Sequence, residues 1–574
     1  MTYDLKITGG TIIDGSGAPR FSGDVGVKDG RVVALGNSPD VAHRVIDARG
    51  LVVAPGFVDI HTHYDAQVFW DPLLSVSPWH GVTSVVMGNC GFGIAPTRPE
   101  HRRNILRTLE GVEGMNLAAL EAGVGYDWDF TSFAGYLDSI ERRGLGINVA
   151  VLAGHTPIRF YAMGEDAVER AATDDEVAQM QALLRESLDA GALGFSTSIT
   201  TAHLGYDGKP VPSRLADRSE IRALARVLAE KDTGVFHMVA DAPEWEFREA
   251  IARDSGRPVH GGIISSASGA PGEHRRRLQR GAEELAAGFP IYSMSPCRPV
   301  VFETDFRRPF VFNAWDLFGP VTKAKSDDEK KGVYGDREFR RLFIDDLASR
   351  RRPEGYFSGT SMVAERNRRS LEFWEISWYP PEPALEGRKL EQVAIERGLE
   401  IGALLLEMIE KSDMDVRIRV ARSNFIEDET AEILQDPNIV VGLGDGGAHL
   451  SMLCDAAYPT DLLGRWVRDK GTLTLERGVH MLTGRPAALF GLSDRGLLGE
   501  GKPADIVIFD PGTVAAGPLE RVNDLPAGGD RLVSRASGIH TVIVNGAVLP
   551  AAGEQAPPWG SLPGKVLRNG TARR

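Results

Sequence analysis

GFVDIHTHYDAQ, residues 56 to 67, is the stretch on which the reading of this chain turns. An apolar run ends in His61-Thr62-His63, with Asp59 two residues before it and Asp65 two residues after. On a strand, residues i and i+2 point to the same face. Two neutral imidazoles side by side are two nitrogen donors aimed at one point, which is a metal-ligand arrangement. The plainer alternative is a polar surface pair just past a strand, since histidine is often no more than that. The rest of the chain has to decide.

Outward from this stretch, the middle of the chain alternates short apolar runs with amphipathic helical segments. Eight runs read as strands: 56–63, 83–91, 147–155, 191–198, 234–241, 257–265, 289–297 and 438–447. Between them lie helical patterns such as DDEVAQMQALLRESLDAG (174–191) and RSEIRALARVLAEKD (218–232). Strand and helix repeated eight times is the pattern of an α/β (β/α)8 TIM-like barrel. The seventh connection is too long for one helix. Residues 298–430, with charged helices and the aromatic patches FNAWDLFGP and LEFWEISWYPPEP, read as an inserted subdomain over the barrel mouth. Residues 3–54 and 504–550 alternate with period two between Gly-Gly, Asp-Gly and Pro-Gly turns. The expected organisation is therefore a small β-sandwich from both termini (1–55 and 485–554), a barrel over 56–484, and a loose Pro/Gly/Arg-rich tail over 555–574.

The strand candidates share a habit: each starts apolar and several end on a reactive side chain. These ends carry His61 and His63, Cys90, His155, Ser196 and Thr197, His237, Ser265, and Asp445. Barrel active sites lie at the C-terminal ends of the strands, so residues distant in sequence would meet at one mouth. That coincidence favours the metal reading of His61 and His63 over the surface pair.

Composition narrows the class. The 574 residues carry a net charge of -14 and no long basic run, which argues against nucleic acid or an anionic membrane as the main partner. Three cysteines make no disulfide framework. The start, MTYDLKITGG, lacks the basic and apolar regions of a secretory leader, and no apolar run reaches the roughly 18 residues of a membrane span. A soluble cytoplasmic protein acting on a small molecule, with a homo-oligomer open, is the expectation.

The motifs PGFVDIHTHYD, GVTSVVMGNCGFGIAP, GALGFSTS, GDGGAH and TGRPAALFGLSDRGLLGEGKPADIVIFD together resemble the amidohydrolase superfamily, in its branch of N-acyl-D-amino-acid deacylases (D-aminoacylases). The resemblance runs over nearly the whole chain. It implies that His61 and His63 are first-strand metal ligands, that Cys90 is the bridging ligand of this branch, and that His237 is the fifth-strand ligand. It implies that Asp445 contacts metal and acts as general base. It implies zinc. The branch's sixth-strand histidine has no counterpart in GGIISSAS, and His260 lies before the apolar run, toward the wrong end of the strand; Ser265 or Ser266 stands in the expected place, and neutral serine is a poor zinc ligand. One tightly held zinc, with a second site weak or absent, is the expectation.

A divalent metal with an open position lowers the pKa of bound water toward about 7. Asp445 could take the water proton and later give it to the leaving amine. His155 or His237 could polarise the attacked carbonyl. An N-acyl amino acid would need a cation for its carboxylate, and Arg159 and Arg298 are the candidates, with Ser196 also placed among the substrate-binding residues. Plainer roles stay open: Cys90 as a buried apolar cysteine, His237 as a core histidine, His155 as a helix start, Arg159 as structural. The same water and base would serve a cyclic amide, carbamate, ester or lactone. A barrel that has lost catalysis and serves as a scaffold is the reading from another class.

Overall fold

Short apolar runs closed by Gly and Pro become strands, and the intervening amphipathic stretches become helices that cover them. The computed structural model describes residues 2–241, 244–266, 272–312, 315–348, 370–554 and 558–572. These form two units: Met1–Ile264 with Arg275–Cys297 and Ala431–Arg574, and Ser265–His274 with Arg298–Thr430.

In the first unit, strands β1 (Phe57–Asp59), β2 (Val82–Met87) and β3 pair in parallel. Strand β3 is broken at Leu152 into Asn148–Val151 and Ala153–Gly154. Its second piece opens a six-stranded parallel sheet with β4 (Gly194–Ser198), β5 (Val235–Val239), β6 (Val259–Ile263), β7 (Ile291–Ser295) and β8 (Val440–Val441). A parallel bridge between Thr62 and Gly446 joins the segment after β1 to the segment after β8. Val58, Val86, Ala150, Val235, Met294 and Val440 share one apolar cluster, into which Phe490 and Leu567 also pack. Helix α1 (Arg102–Glu113) follows β2. Helix α2 (Asp174–Ala190) starts where Thr173 and Glu176 close a reciprocal capping box, and it ends at Gly191, whose φ of 113° suits glycine. Helix α3 is Arg218–Lys231.

Strands from both ends of the chain form one mixed eight-stranded sheet. It forks at the long strand Tyr3–Ile12, whose first half pairs with Ala42–Asp47 and whose end pairs with Val52–Pro55. Val52–Pro55 in turn runs antiparallel to Ile506–Phe509. Over its described residues, 558–572, the expected loose tail is instead packed. Val149 N–H donates to the Lys565 carbonyl at 2.9 Å, Leu567 is buried, and Arg568 reaches Asp138, Glu141 and the Ala190 carbonyl. The start of β3 has backbone groups to satisfy, and the returning chain satisfies them.

The second unit has its own core, built on Phe306, Phe312, Trp374, Leu404 and Val420, and an antiparallel sheet in the order Val300–Thr304, Arg417–Ser423, Glu375–Trp378. No helix among the described residues is long and apolar enough to cross a membrane.

Candidate metal centre

Strand β1 ends at Asp59, so His61 and His63 lie beyond the strand on which the sequence placed them. The chain nevertheless stays pinned on both sides. Thr62 N–H donates to the Val86 carbonyl at 3.1 Å, and His63 N–H donates to the Gly446 carbonyl at 2.7 Å. Asp445 N–H donates to the His61 carbonyl at 3.0 Å. This lacing carries Asp445 to the two histidines from the far end of the sequence.

Cys90 arrives on a turn after β2. Gly88 N–H donates to Asp65 Oδ2 at 3.0 Å, and Asn89 Nδ2 donates to the Thr62 and Val86 carbonyls. Gly91 N–H donates to Ser196 Oγ at 3.0 Å, and that hydroxyl donates to the Gly88 carbonyl. Cys90 itself has φ 55° and Asp445 φ 45°, left-handed conformations that cost a non-glycine residue about 1–2 kcal/mol. Such strain is held where surrounding bonds over-determine it, and it gathers at functional sites.

The donor atoms of His61, His63 and Cys90 all lie within 4.8 Å of one another. Cys90 Sγ is 3.4 Å from His61 Nε2; Asp445 Oδ1 is 3.4 Å from His61 Nε2 and 3.8 Å from His63 Nε2. Tetrahedral ligands at ordinary zinc distances stand roughly 3.4 Å apart, so the spacing suits one ion. The chemistry of the site suits it as well. Burial, followed by the influence of neighbouring histidines, holds His61 and His63 well below the usual imidazole range, so both are neutral donors. Burial and then the Glu113 and Asp445 carboxyls push the Cys90 thiol up. Burial pushes Asp59 up to about 7 and Asp65 to about 6, and holds Glu113 and Asp445 well above the ordinary carboxyl range. No lysine or arginine is among the groups acting on these four carboxyls. A desolvated cluster of carboxyls, a thiol and neutral imidazoles is short of positive charge, and a divalent cation supplies it. Asp445 keeps 15% of its side chain exposed.

Other expected residues fall elsewhere. His237 stands beside His61, ring centroids 5.1 Å apart, but outside the tight three-donor group. Its Nδ1 is 3.3 Å from Nδ1 of His260, and both Nε2 atoms are buried without a hydrogen-bond partner. His260 is the second residue of Val259–Ile263, at the start of its strand as expected, yet it stands level with His237 as its register partner. A register shift between His260 and Gly262, with Gly261 at φ 129°, follows it in the strand. Ser266 is spent on Asn424, Ile426 and Thr430.

His155 and Arg159 do not face the site. Both are fully buried on the helix His155–Met163. His155 bonds Thr197 Oγ1 through Nδ1 and Glu220 Oε1 through Nε2, each at 2.8 Å, and Arg159 donates to both oxygens of Glu220. A catalytic role for His155 and a substrate role for Arg159 give way to a scaffold role, because their polar groups are already engaged. Ser196 likewise holds the Cys90 turn, its one hydroxyl proton spent on the Gly88 carbonyl and one lone pair on Gly91 N–H. Arg298 opens the second unit's main segment, where its carbonyl accepts from Asn424 Nδ2 at 3.3 Å. Sequence reasoning missed Glu113, whose Oε1 is 3.1 Å from His63 Nδ1. It also missed His203, whose ring packs on Phe92 beside His63.

The model of the amidohydrolase family matches residues 44–288 and 388–550. The chain is 30% identical to the D-aminoacylase of Alcaligenes xylosoxydans xylosoxydans, over 98% of this chain and 97% of that one. It is 31% identical to the N-acyl-D-glutamate deacylase of the same organism, over 98% and 96%. Among solved structures it is similar to the N-acyl-D-glutamate deacylase of Bordetella bronchiseptica complexed with zinc and a phosphonate inhibitor that mimics the tetrahedral intermediate. The identity is 28% and the TM-score 0.65, covering 99% of this chain and 100% of that one.

Proposed function

We propose, from the premise that this chain belongs to the amidohydrolase family, that it is a metal-dependent hydrolase cleaving the amide bond of an N-acyl-D-amino acid. The observation that carries the reading is the convergence of His61, His63 and Cys90 on one point beside Asp445. The two parallel sheets, bridged at Thr62 and Gly446, are read as a (β/α)8 barrel over 56–484, with residues 1–55 and 485–554 as the β domain and 298–430 as an insert.

His61 and His63 through Nε2, and Cys90 through Sγ, would hold one zinc, with Asp445 at its edge. His237 and His260, bonded to each other, make a weaker second place. When bound, such an ion lowers the pKa of water toward about 7 and polarises a carbonyl. Asp445 takes a proton from the attacking water at a carboxylate oxygen and returns it to the leaving nitrogen, serving as base and then acid. The products are a carboxylic acid and a free D-amino acid. The substrate carboxylate calls for a cation. Arg159 is spent on Glu220 and does not supply it.

The test is amine release by the zinc-loaded protein from a panel of N-acetyl-D-amino acids, neutral and acidic, with their L forms and a hydantoin alongside. Turnover of D forms supports the reading. Turnover of the cyclic amide alone contradicts it.

A further inference from the structure

Glu113 closes helix α1, and Gly114 behind it takes φ 60° and turns the chain away. Its side chain points inward and is 2% exposed. Oε1 lies 3.1 Å from His63 Nδ1, and neither buried atom has an aligned hydrogen bond to anything else. The contact is within hydrogen-bond distance but is not aligned as a hydrogen bond. The Glu113 backbone carbonyl accepts from His449 N–H, so this helix end is also tied to the loop after Asp445. A carboxyl buried away from any cation costs several kcal/mol unless something gains by it.

His63 Nε2 faces Asp445, so Nδ1 is its far nitrogen. An imidazole ligates through Nε2 only when its proton sits on Nδ1, and the partner of Nδ1 decides that. His61 differs, because its Nδ1 is buried with no hydrogen-bond partner. We propose that Glu113 is a positioning residue for His63, accepting its Nδ1–H and so fixing the tautomer and ring orientation that present Nε2 to the metal. The inference rests on the metal-site reading above. It makes His63 a ligand supported at its far nitrogen and leaves His61 without such a support, its Nδ1 lacking a partner.

The test is zinc affinity, read by competition with a chelating dye, for the full chain and for Glu113→Gln, Glu113→Ala and Glu113→Leu. Loss of such a partner weakens metal binding about 10–100-fold. That loss is expected for Glu113→Ala, and for Glu113→Leu, which refills the volume and keeps the metal-free fold by circular dichroism. Glu113→Gln, whose amide oxygen still accepts from Nδ1–H, should recover most of the affinity. Wild-type affinity in Glu113→Leu would overturn the proposal, as would Glu113→Gln falling as far as Glu113→Leu. If the wild type takes up no zinc at all, the metal-site reading itself fails and the role of Glu113 with it.

Discussion

Two corners of the first unit place histidine at the end of a parallel strand and bury it, yet they are built for opposite ends. Around His155, both ring nitrogens are bonded, and both oxygens of Glu220 receive Arg159. Around His61 and His63, the far ring nitrogens lack aligned hydrogen bonds, the thiol is raised, and no lysine or arginine among the described residues offsets the carboxyls. Burial is equal; satisfaction is not. A polar cluster whose groups answer one another is part of the scaffold, and one whose groups point at a common empty need is a ligand site.

This contrast can be broken from either side. Asp445→Asn should lower kcat by about 10²–10⁴-fold while leaving the unfolding temperature near that of the wild type, since it removes a proton carrier and little packing. A loss of fold instead would make Asp445 a scaffold residue. Glu220→Ala should do the reverse. Leaving Arg159 buried and unpaired costs about 3–5 kcal/mol, seen as a lower denaturant midpoint, while activity per folded chain holds. Acid sharpens the same point. Burial works against the Glu220 charge, but His155 and Arg159 outweigh it and hold its carboxyl below the ordinary value of 4.5. A depressed pKa contributes stability above the unfolded value that is lost as pH falls through the folded one. The stability gap between wild type and Glu220→Gln should therefore narrow below about pH 4.5; a gap that widens there would contradict the pairing. The smallest effect is expected at the junction of the two corners. Ser196→Ala strips a partner from Gly91 N–H and should cost about 1–3 kcal/mol, with a modest loss of zinc affinity because the Cys90 turn loosens.

The grouping of His61, His63 and Cys90 was legible because these residues sit in short local motifs at strand ends. The alternation of strands and helices was legible because period changes mark it. Three things were hidden. His155, Arg159 and Ser196 looked functional because sequence shows a polar strand end but not its partner. Glu220 could have warned of this: with Leu224 and Leu228 it shares the i, i+4 stripe that α3 buries, an odd place for a carboxylate. His260 was set aside because it stands at the start of its strand, and only the sheet register shows it level with His237. Glu113 carries no local signal, since LEGVEG reads as a solvated helix end and only the third dimension brings it to His63.

The most direct test of the account is zinc content per chain by elemental mass spectrometry, on wild type and His61→Ala, as purified and after incubation with zinc. The account predicts one zinc per wild-type chain and none in His61→Ala, with both proteins folded. A wild-type chain that takes up no zinc, or a His61→Ala variant that keeps it, would contradict the assignment of this corner as the metal centre.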